Sequence, residues 1–135
     1  MGGYDAIVVL CVSMGEGLEK LVGPLEAQTL EVLWRAGRPM SVREVLTSLN
    51  DDRSRSLAYT TVMTVMARLA EKGVLDRRME GRGYVYEPVA KDAAEIAVRK
   101  VLRDFGDAAV APFVDEARAD PKLLRRLRRL MEEHG

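Results

Sequence analysis

Cysteine and histidine are almost absent from this chain of 135 residues, which contains one of each, Cys11 and His134. A single cysteine cannot form an intramolecular disulfide, and the pair cannot supply the four ligands of a structural zinc site. The sequence also lacks clustered paired carboxylates and a glycine-rich phosphate-binding loop. We therefore predict that the chain is not an enzyme and binds neither a metal nor a cofactor. The low cysteine content suits a reducing cytoplasm, where we expect the protein to act.

A long apolar run is missing as well. The segment Ala6–Val12 holds seven consecutive apolar residues, whereas a transmembrane helix needs about 20. No basic residue precedes this segment, as one would in a secretory signal. It could form a stray strand or a surface tail, or it could be translated upstream of a functional start at Met14. We expect no membrane insertion and interpret residues 1–17 as a tail without a function of its own.

An excess of either charge is also missing, since 21 basic residues balance 21 acidic ones. This balance argues against a protein that coats nucleic acid non-specifically. Residues 53–82 nevertheless contain seven basic side chains against three acidic ones. Such a local surplus is typical of a small DNA-binding surface, although a solvated surface of mixed charge would also account for it.

Helix signals divide the first half of the chain into three helices. The first spans Pro24–Ala36, with proline at its first position and Gly37 as a stop. Ser41 and Glu44 have the spacing of a capping box, which begins a second helix that ends near Asn50. We predict that Ser56 caps a longer third helix, which ends before Gly73.

The third helix has an unusual surface. Its apolar positions Val62, Val65, Met66 and Leu69 follow the i, i+3, i+4, i+7 spacing of a buried face. The opposite face carries threonine and methyl groups rather than Glu and Lys, although β-branched residues are mediocre helix formers. We infer that this face serves a purpose other than helix stability.

The order of elements predicts a mainly α fold with a small β-hairpin wing. Two short strands, Val74–Arg78 and Tyr84–Glu87, flank a turn with Arg82 at its tip. Helical segments follow from Lys91, including one that Pro112 must open or kink and one capped by Asp120. We therefore expect a winged helix-turn-helix domain at residues 18–90 and a helical dimerisation region at residues 91–135.

In a helix-turn-helix, the second helix of the motif presents its early residues to base edges in the major groove. Threonine can donate a hydrogen bond to a base, and its methyl group can contact the thymine methyl. The predicted DNA-binding residues are Tyr59, Thr60, Thr61, Met63, Thr64, Arg68, Arg82, Arg53, Arg55 and Arg77, with Arg78 as a further backbone contact. The alternatives are that the threonines are neutral surface, that Met63 belongs partly to the core and that the arginines are merely solvated.

The chain resembles the BlaI/MecI family of penicillinase repressors from about Leu18 to Glu133. Four segments carry the similarity: LEAQTLEVLW (Leu25–Trp34), SVREVLTSL (Ser41–Leu49), AYTTVMTVMARLAEKGVL (Ala58–Leu75) and GRGYVYEPV (Gly81–Val89). The resemblance implies a homodimer that binds a palindromic operator and represses genes for β-lactam resistance or other stress responses. The cysteine cluster of the copper-responsive branch is absent from the C-terminal part of this chain.

The resemblance also implies release of the repressor by proteolysis, triggered by a membrane sensor protease of the BlaR/MecR type. The matching region here is Ile96 and Ala97, which lacks the Asn-Phe pair of the staphylococcal members. Apolar stripes after the wing provide the expected dimer interface: Val98, Val101, Leu102, Phe105, Val110, Phe113, Leu124, Leu127, Leu130 and Met131.

The sequence thus predicts a sequence-specific repressor whose partner is double-stranded operator DNA. Two alternatives differ in their tests. A ligand-sensing winged-helix repressor would have a small-molecule pocket at the dimer interface. A winged-helix protein-interaction module would show no salt-dependent binding to a DNA duplex.

Overall fold

The computed structural model describes residues 17–51 and 53–134. The apolar run Ala6–Val12 and Met14, on which the interpretation of the N-terminal tail depends, lie outside the described residues. The part of the chain described here contains no helix that is long and apolar enough to cross a membrane.

Helices dominate the structure. Residues 17–22 are helical. The elements that follow are α1 (Pro24–Ala36), β1 (Met40–Ser41), α2 (Val42–Asn50), α3 (Tyr59–Glu71), β2 (Leu75–Glu80), β3 (Gly83–Pro88), α4 (Ala93–Phe105), a 3₁₀ turn (Gly106–Ala109), α5 (Val110–Ala119) and α6 (Pro121–His134). The described residues fall into two compact units, one that ends at Ala97 and one that begins at Val98.

The core of the first unit lies among α1, α2 and α3. The buried positions predicted for the third helix are confirmed, because Val62, Val65, Met66 and Leu69 are all buried. They pack in one cluster with Leu30 and Leu33 of α1 and with Val45 of α2. Burial of each large aliphatic side chain contributes roughly 1.5–3 kcal/mol, so this face of α3 is held firmly against the domain.

The hairpin belongs to a three-stranded antiparallel sheet with the strand order β1-β3-β2. The strand outside the hairpin is β1, which pairs Met40 with Tyr86 and Ser41 with Val85. It is too short to leave a pattern in the sequence. The two wing strands extend to Glu80 and Gly83, further toward the tip than predicted. A two-residue turn remains, and Gly81 at its first position has φ +66°, which favours glycine.

Of the two helix caps predicted in the first unit, one is confirmed. The Ser41 hydroxyl accepts from the Glu44 backbone N–H at 3.2 Å, while the Ser41 backbone N–H donates to Glu44 Oε1 at 3.1 Å. The prediction of Ser56 as a cap is wrong, because α3 begins at Tyr59 with Ala58 as its N-cap and no side-chain cap.

The second unit contains the end of α4, the 3₁₀ turn, α5 and α6. The Asp120 carboxylate accepts from the backbone N–H groups of Lys122 and Leu123 at 3.1 and 3.3 Å and so caps α6. Pro112 is the third residue of α5. It therefore lies in the first turn, where a missing N–H leaves no helical hydrogen bond unmade, and it opens the helix without breaking it.

Candidate nucleic-acid interface

Helix α3 presents its hydroxyl and methyl groups to solvent. Tyr59 is 43% exposed and Met63 is 42% exposed, and Met63 is not part of the core cluster. Thr60, Thr61, Thr64 and Arg68 are exposed on the same helix. The six residues that the sequence analysis selected on this helix therefore share one accessible face.

The start of α3 is fixed by Asn50, the last residue of α2. Its side-chain Nδ2 donates to the Leu57 carbonyl oxygen at 3.2 Å, and the Leu57 backbone N–H donates to its Oδ1 at 2.7 Å. One amide thus satisfies both backbone groups of a loop residue just before α3 begins. This contact cannot be predicted from the sequence, where Asn50 indicates only the end of a helix.

Two arginines that were predicted to contact DNA lie in the loop between α2 and α3. The Arg53 guanidinium donates to the side-chain carbonyl of Gln28 on α1, while Arg55 is exposed. Arg53 therefore ties the loop to α1 and is half-buried. Any contact of Arg53 with a phosphate would use its remaining N–H groups.

The wing carries three arginines in different settings. Arg82 is exposed in the turn at the tip. The Arg77 guanidinium lies 4.6 Å from the centroid of the Tyr84 ring, in a cation–π contact. Arg78 lies 3.4 Å from a carboxylate oxygen of Glu87 and 3.7 Å from one of Glu80. The charge of Arg78 is thus offset locally, whereas Arg77 and Arg82 contribute positive charge to the surface.

Helix α3 forms a ridge between two open grooves. The first, which we call the wing groove, has a volume of about 620 Å³ and lies between α3, the hairpin and the start of α2. The second, which we call the α1 groove, has a volume of about 560 Å³ and lies between α3 and residues 22–26. A ridge with a groove on either side is the shape that an inserted helix needs, because the two DNA backbones must pass beside it.

The wing groove includes a residue that the sequence analysis missed. Arg43 lines this groove, and its guanidinium lies 5.6 Å from the centroid of the Tyr59 ring. The sequence does indicate that Arg43 is exposed, since Val42, Val45 and Leu49 define the buried face of α2 and Arg43 falls outside it.

Polar contacts stabilise the beginning of α2, at the edge of the wing groove. The hydrogen bond with the Ser41 backbone, followed by the hydrogen bond from the Arg38 side chain, lowers the pKa of the Glu44 carboxyl from its ordinary value of 4.5. Arg38 Nη1 lies 2.8 Å from Glu44 Oε2. Glu44 is therefore held as a carboxylate by contacts that exist only in the folded chain.

The residues predicted for a dimer interface lie on the second unit. Most of them are exposed in the single chain, namely Val98, Val101, Leu102, Phe105, Val110, Phe113, Leu130 and Met131. Leu124 and Leu127 are half-buried. The residues of the predicted cleavage region are placed differently, because Ile96 is only 5% exposed and both Ile96 and Ala97 lie within α4.

The class of this molecule is defined by helices α1, α2 and α3, by a short sheet that ends in a wing, and by the exposed face of α3. It is a winged-helix protein.

Comparisons with known proteins identify the family. The model of the penicillinase repressor family matches residues 22–133. The transcriptional regulator BlaI of Mycobacterium tuberculosis is 36% identical over 123 residues, which cover 84% of this chain and 88% of that protein. The penicillinase repressor of Bacillus licheniformis is 24% identical over 119 residues, which cover 84% and 91%. The chain therefore belongs to the penicillinase repressor family and is a transcriptional regulator, not an enzyme.

Among solved structures, the transcription regulator MepR of Staphylococcus aureus aligns with a TM-score of 0.46 at 12% identity and covers all of both chains. The regulator Tm0710 of Thermotoga maritima aligns with a TM-score of 0.46 at 20% identity and covers 98% of this chain and 96% of its own.

Proposed function

We propose that this protein is a sequence-specific repressor that binds a palindromic operator as a homodimer. The observation that carries the proposal is the exposed threonine face of α3, which stands as a ridge between two grooves. Inserted into the major groove, its first residues would meet base edges, with threonine methyl groups against thymine methyl groups. The base-contacting residues are then Tyr59, Thr60, Thr61, Met63 and Thr64.

Arginines around this face provide the contacts with the DNA backbone. Such contacts fix the position of the protein on the duplex and carry no sequence information themselves. Arg68 lines both grooves beside α3, and Arg82 extends the surface at the tip of the wing. The set is completed by Arg53, Arg55 and Arg77.

The apolar surface of the second unit supports a homodimer. Large side chains such as Phe105 and Phe113 are exposed there in the single chain, and burying each contributes roughly 1.5–3 kcal/mol. Two recognition helices related by a two-fold axis would contact half-sites about one DNA turn apart, or a multiple of it. Repression follows if the bound dimer blocks access of the polymerase to the promoter. The protein would act in the cytoplasm, where the operator DNA is located.

The penicillinase repressor among the relatives supports control of β-lactam-resistance or other stress genes. In this proposal, repression is relieved by proteolysis or by loss of the dimer. A sensor protease of the BlaR/MecR type would cut near Ile96 and Ala97. Since Ile96 packs in the core and a protease needs extended chain, α4 must open locally before the bond is cut. Cleavage near Ile96 would therefore require that α4, which carries part of the predicted dimer interface, first opens locally.

A second candidate is a repressor released by a small apolar ligand. The observation that favours it is a hollow of about 450 Å³ within the second unit, a volume that suits a small molecule. Its lining residues are Val101, Phe105, Ala108, Ala109, Pro112, Phe113 and Glu116. A ligand that raises the dimer dissociation constant would support this candidate. The protein-interaction module gains no support from relatives that are transcriptional regulators.

The experiment compares threonines in matched local settings. The Thr64 hydroxyl donates to the Thr60 carbonyl oxygen at 2.9 Å, and the Thr47 hydroxyl on α2 donates to the Arg43 carbonyl oxygen at 3.0 Å. We expect Thr61→Ala and Thr64→Ala each to reduce discrimination between a selected operator and its variants by roughly 1–3 kcal/mol, whereas Thr47→Ala leaves it unchanged. Selection from random duplexes followed by fluorescence anisotropy measures this, and unaltered discrimination would exclude the threonines from base recognition.

A further inference from the structure

The charged side chains that line the wing groove are mostly arginines. Arg43 enters from α2, Arg68 from α3 and Arg77 from β2, while Glu71 is the one acidic residue among the described residues of the lining. Three guanidinium groups from three different elements therefore face one open groove of about 620 Å³. The groove borders the face of α3 that carries Met63 and Thr64, which also line it.

Two of these arginines rest against aromatic rings. The Arg43 guanidinium lies 5.6 Å from the ring centroid of Tyr59, and the Arg77 guanidinium lies 4.6 Å from that of Tyr84. A guanidinium group held at a ring loses little further freedom when it binds a ligand, and its N–H donors remain available for an anion such as phosphate. The two Arg–Tyr pairs thus place two guanidinium groups of restricted freedom at the same groove.

We propose that the wing groove holds one sugar–phosphate strand of the operator and that Arg43 is a further phosphate-binding residue. The inference rests on the proposed function, because a strand enters this groove only if α3 occupies the neighbouring major groove. Arg43 approaches the phosphate from α2 and Arg77 from the wing, so the strand is held from two sides. Tyr59 has a double role, since it carries the Arg43 guanidinium and stands at the start of the base-contacting face.

The test measures affinity against salt concentration for the full-length protein with a selected operator duplex and with a scrambled duplex. Loss of one phosphate contact lowers the slope of log K against log salt by about 0.9. We expect Arg43→Ala to show this change and to weaken binding to both duplexes by the same factor. Arg43→Gln, which keeps a polar side chain, should behave in the same way, and thermal unfolding monitors the fold of both variants.

Arg35→Ala is the matched control, because Arg35 is an exposed arginine at the end of α1 and lines neither groove. It should bind with the affinity and salt slope of the unaltered protein. If Arg43→Ala keeps the original slope while the unaltered protein binds, the phosphate contact is refuted and the proposed function stands. A loss confined to the operator duplex would also refute it, since that result indicates a base contact. If neither the unaltered protein nor the control binds any duplex, the proposed function is wrong and this inference with it.

Discussion

Lys72 and Glu26 form an ion pair that joins the C-terminal end of α3 to the first turn of α1. The Lys72 Nζ lies 3.1 Å from Glu26 Oε2 and 3.3 Å from Oε1. The Glu26 side chain is 11% exposed, whereas that of Lys72 is 50% exposed. Lys72 is also the C-cap of α3, so the pair fixes the far end of the helix whose near end is held by Asn50.

A double-mutant cycle should detect this ion pair. Glu26→Gln and Lys72→Met keep most of the side-chain volume and each removes one charge. Because one partner is half-exposed and water screens the pair, we expect a coupling energy of about 1 kcal/mol in the free energy of unfolding. Urea unfolding of the two single variants and the double variant gives this value. Additive effects of the two substitutions would mean that the pair contributes nothing.

Two methionines of α3 separate stability from DNA binding. Met66 is fully buried, whereas Met63 is 42% exposed. Met66→Ala should lower the free energy of unfolding by roughly 2–5 kcal/mol, because it leaves a cavity in the core. Met63→Ala should change stability little and should weaken operator binding. Urea unfolding and fluorescence anisotropy on both variants check this, and a large loss of stability in Met63→Ala would place Met63 in the core instead.

The sequence was sufficient for features that depend on local chemistry. The capping box of Ser41 and Glu44, the buried face of α3 and the Asp120 cap were all predicted, because each follows from spacing along one segment. Strand β1 was not predicted, since two residues leave no periodicity and their pairing with β3 depends on the tertiary fold.

Contacts across the fold account for the other differences. Serine is a preferred helix N-cap, which favoured Ser56. The Asn50 amide instead holds the loop at Leu57, and α3 begins at Tyr59. The ring contact between Arg43 and Tyr59 joins residues on two helices. Neither contact follows from a pattern within one segment, because each depends on how the helices pack.

Glu44 should make stability depend on pH in the acidic range. The pKa of its carboxyl is lowered in the folded chain by the Ser41 backbone and then by the Arg38 side chain. A lowered folded pKa means that the stabilisation is present above the unfolded value of 4.5 and is lost as the pH falls through the folded value.

The Glu44→Gln variant isolates this contribution from other carboxylates. Glutamine can still accept the hydrogen bond of the capping box but cannot pair with the Arg38 charge. We expect the variant to be less stable than the unaltered protein near neutral pH, and the gap to close as the pH falls below the folded pKa of Glu44. Urea unfolding across the acidic range measures it. A gap that stays constant with pH would show that ionisation of Glu44 does not stabilise the fold.

Phe105 provides the sharpest test of the proposed dimer. It is 66% exposed at the end of α4 and lines the apolar hollow of the second unit. In a two-fold interface one substitution acts twice, so Phe105→Asp removes two apolar contacts and buries two carboxylates. Each lost phenyl group costs roughly 1.5–3 kcal/mol, and the dimer dissociation constant should therefore rise about a hundredfold or more. Sedimentation velocity over a concentration series measures this change.

Met79→Asp is the control, because Met79 is 58% exposed on the wing and is not among the predicted dimer residues. If Phe105→Asp dissociates the dimer, it should also bind a full operator no more tightly than a half-site, since the gain from two linked recognition helices is lost. A variant that remains dimeric would show that another surface joins the two chains.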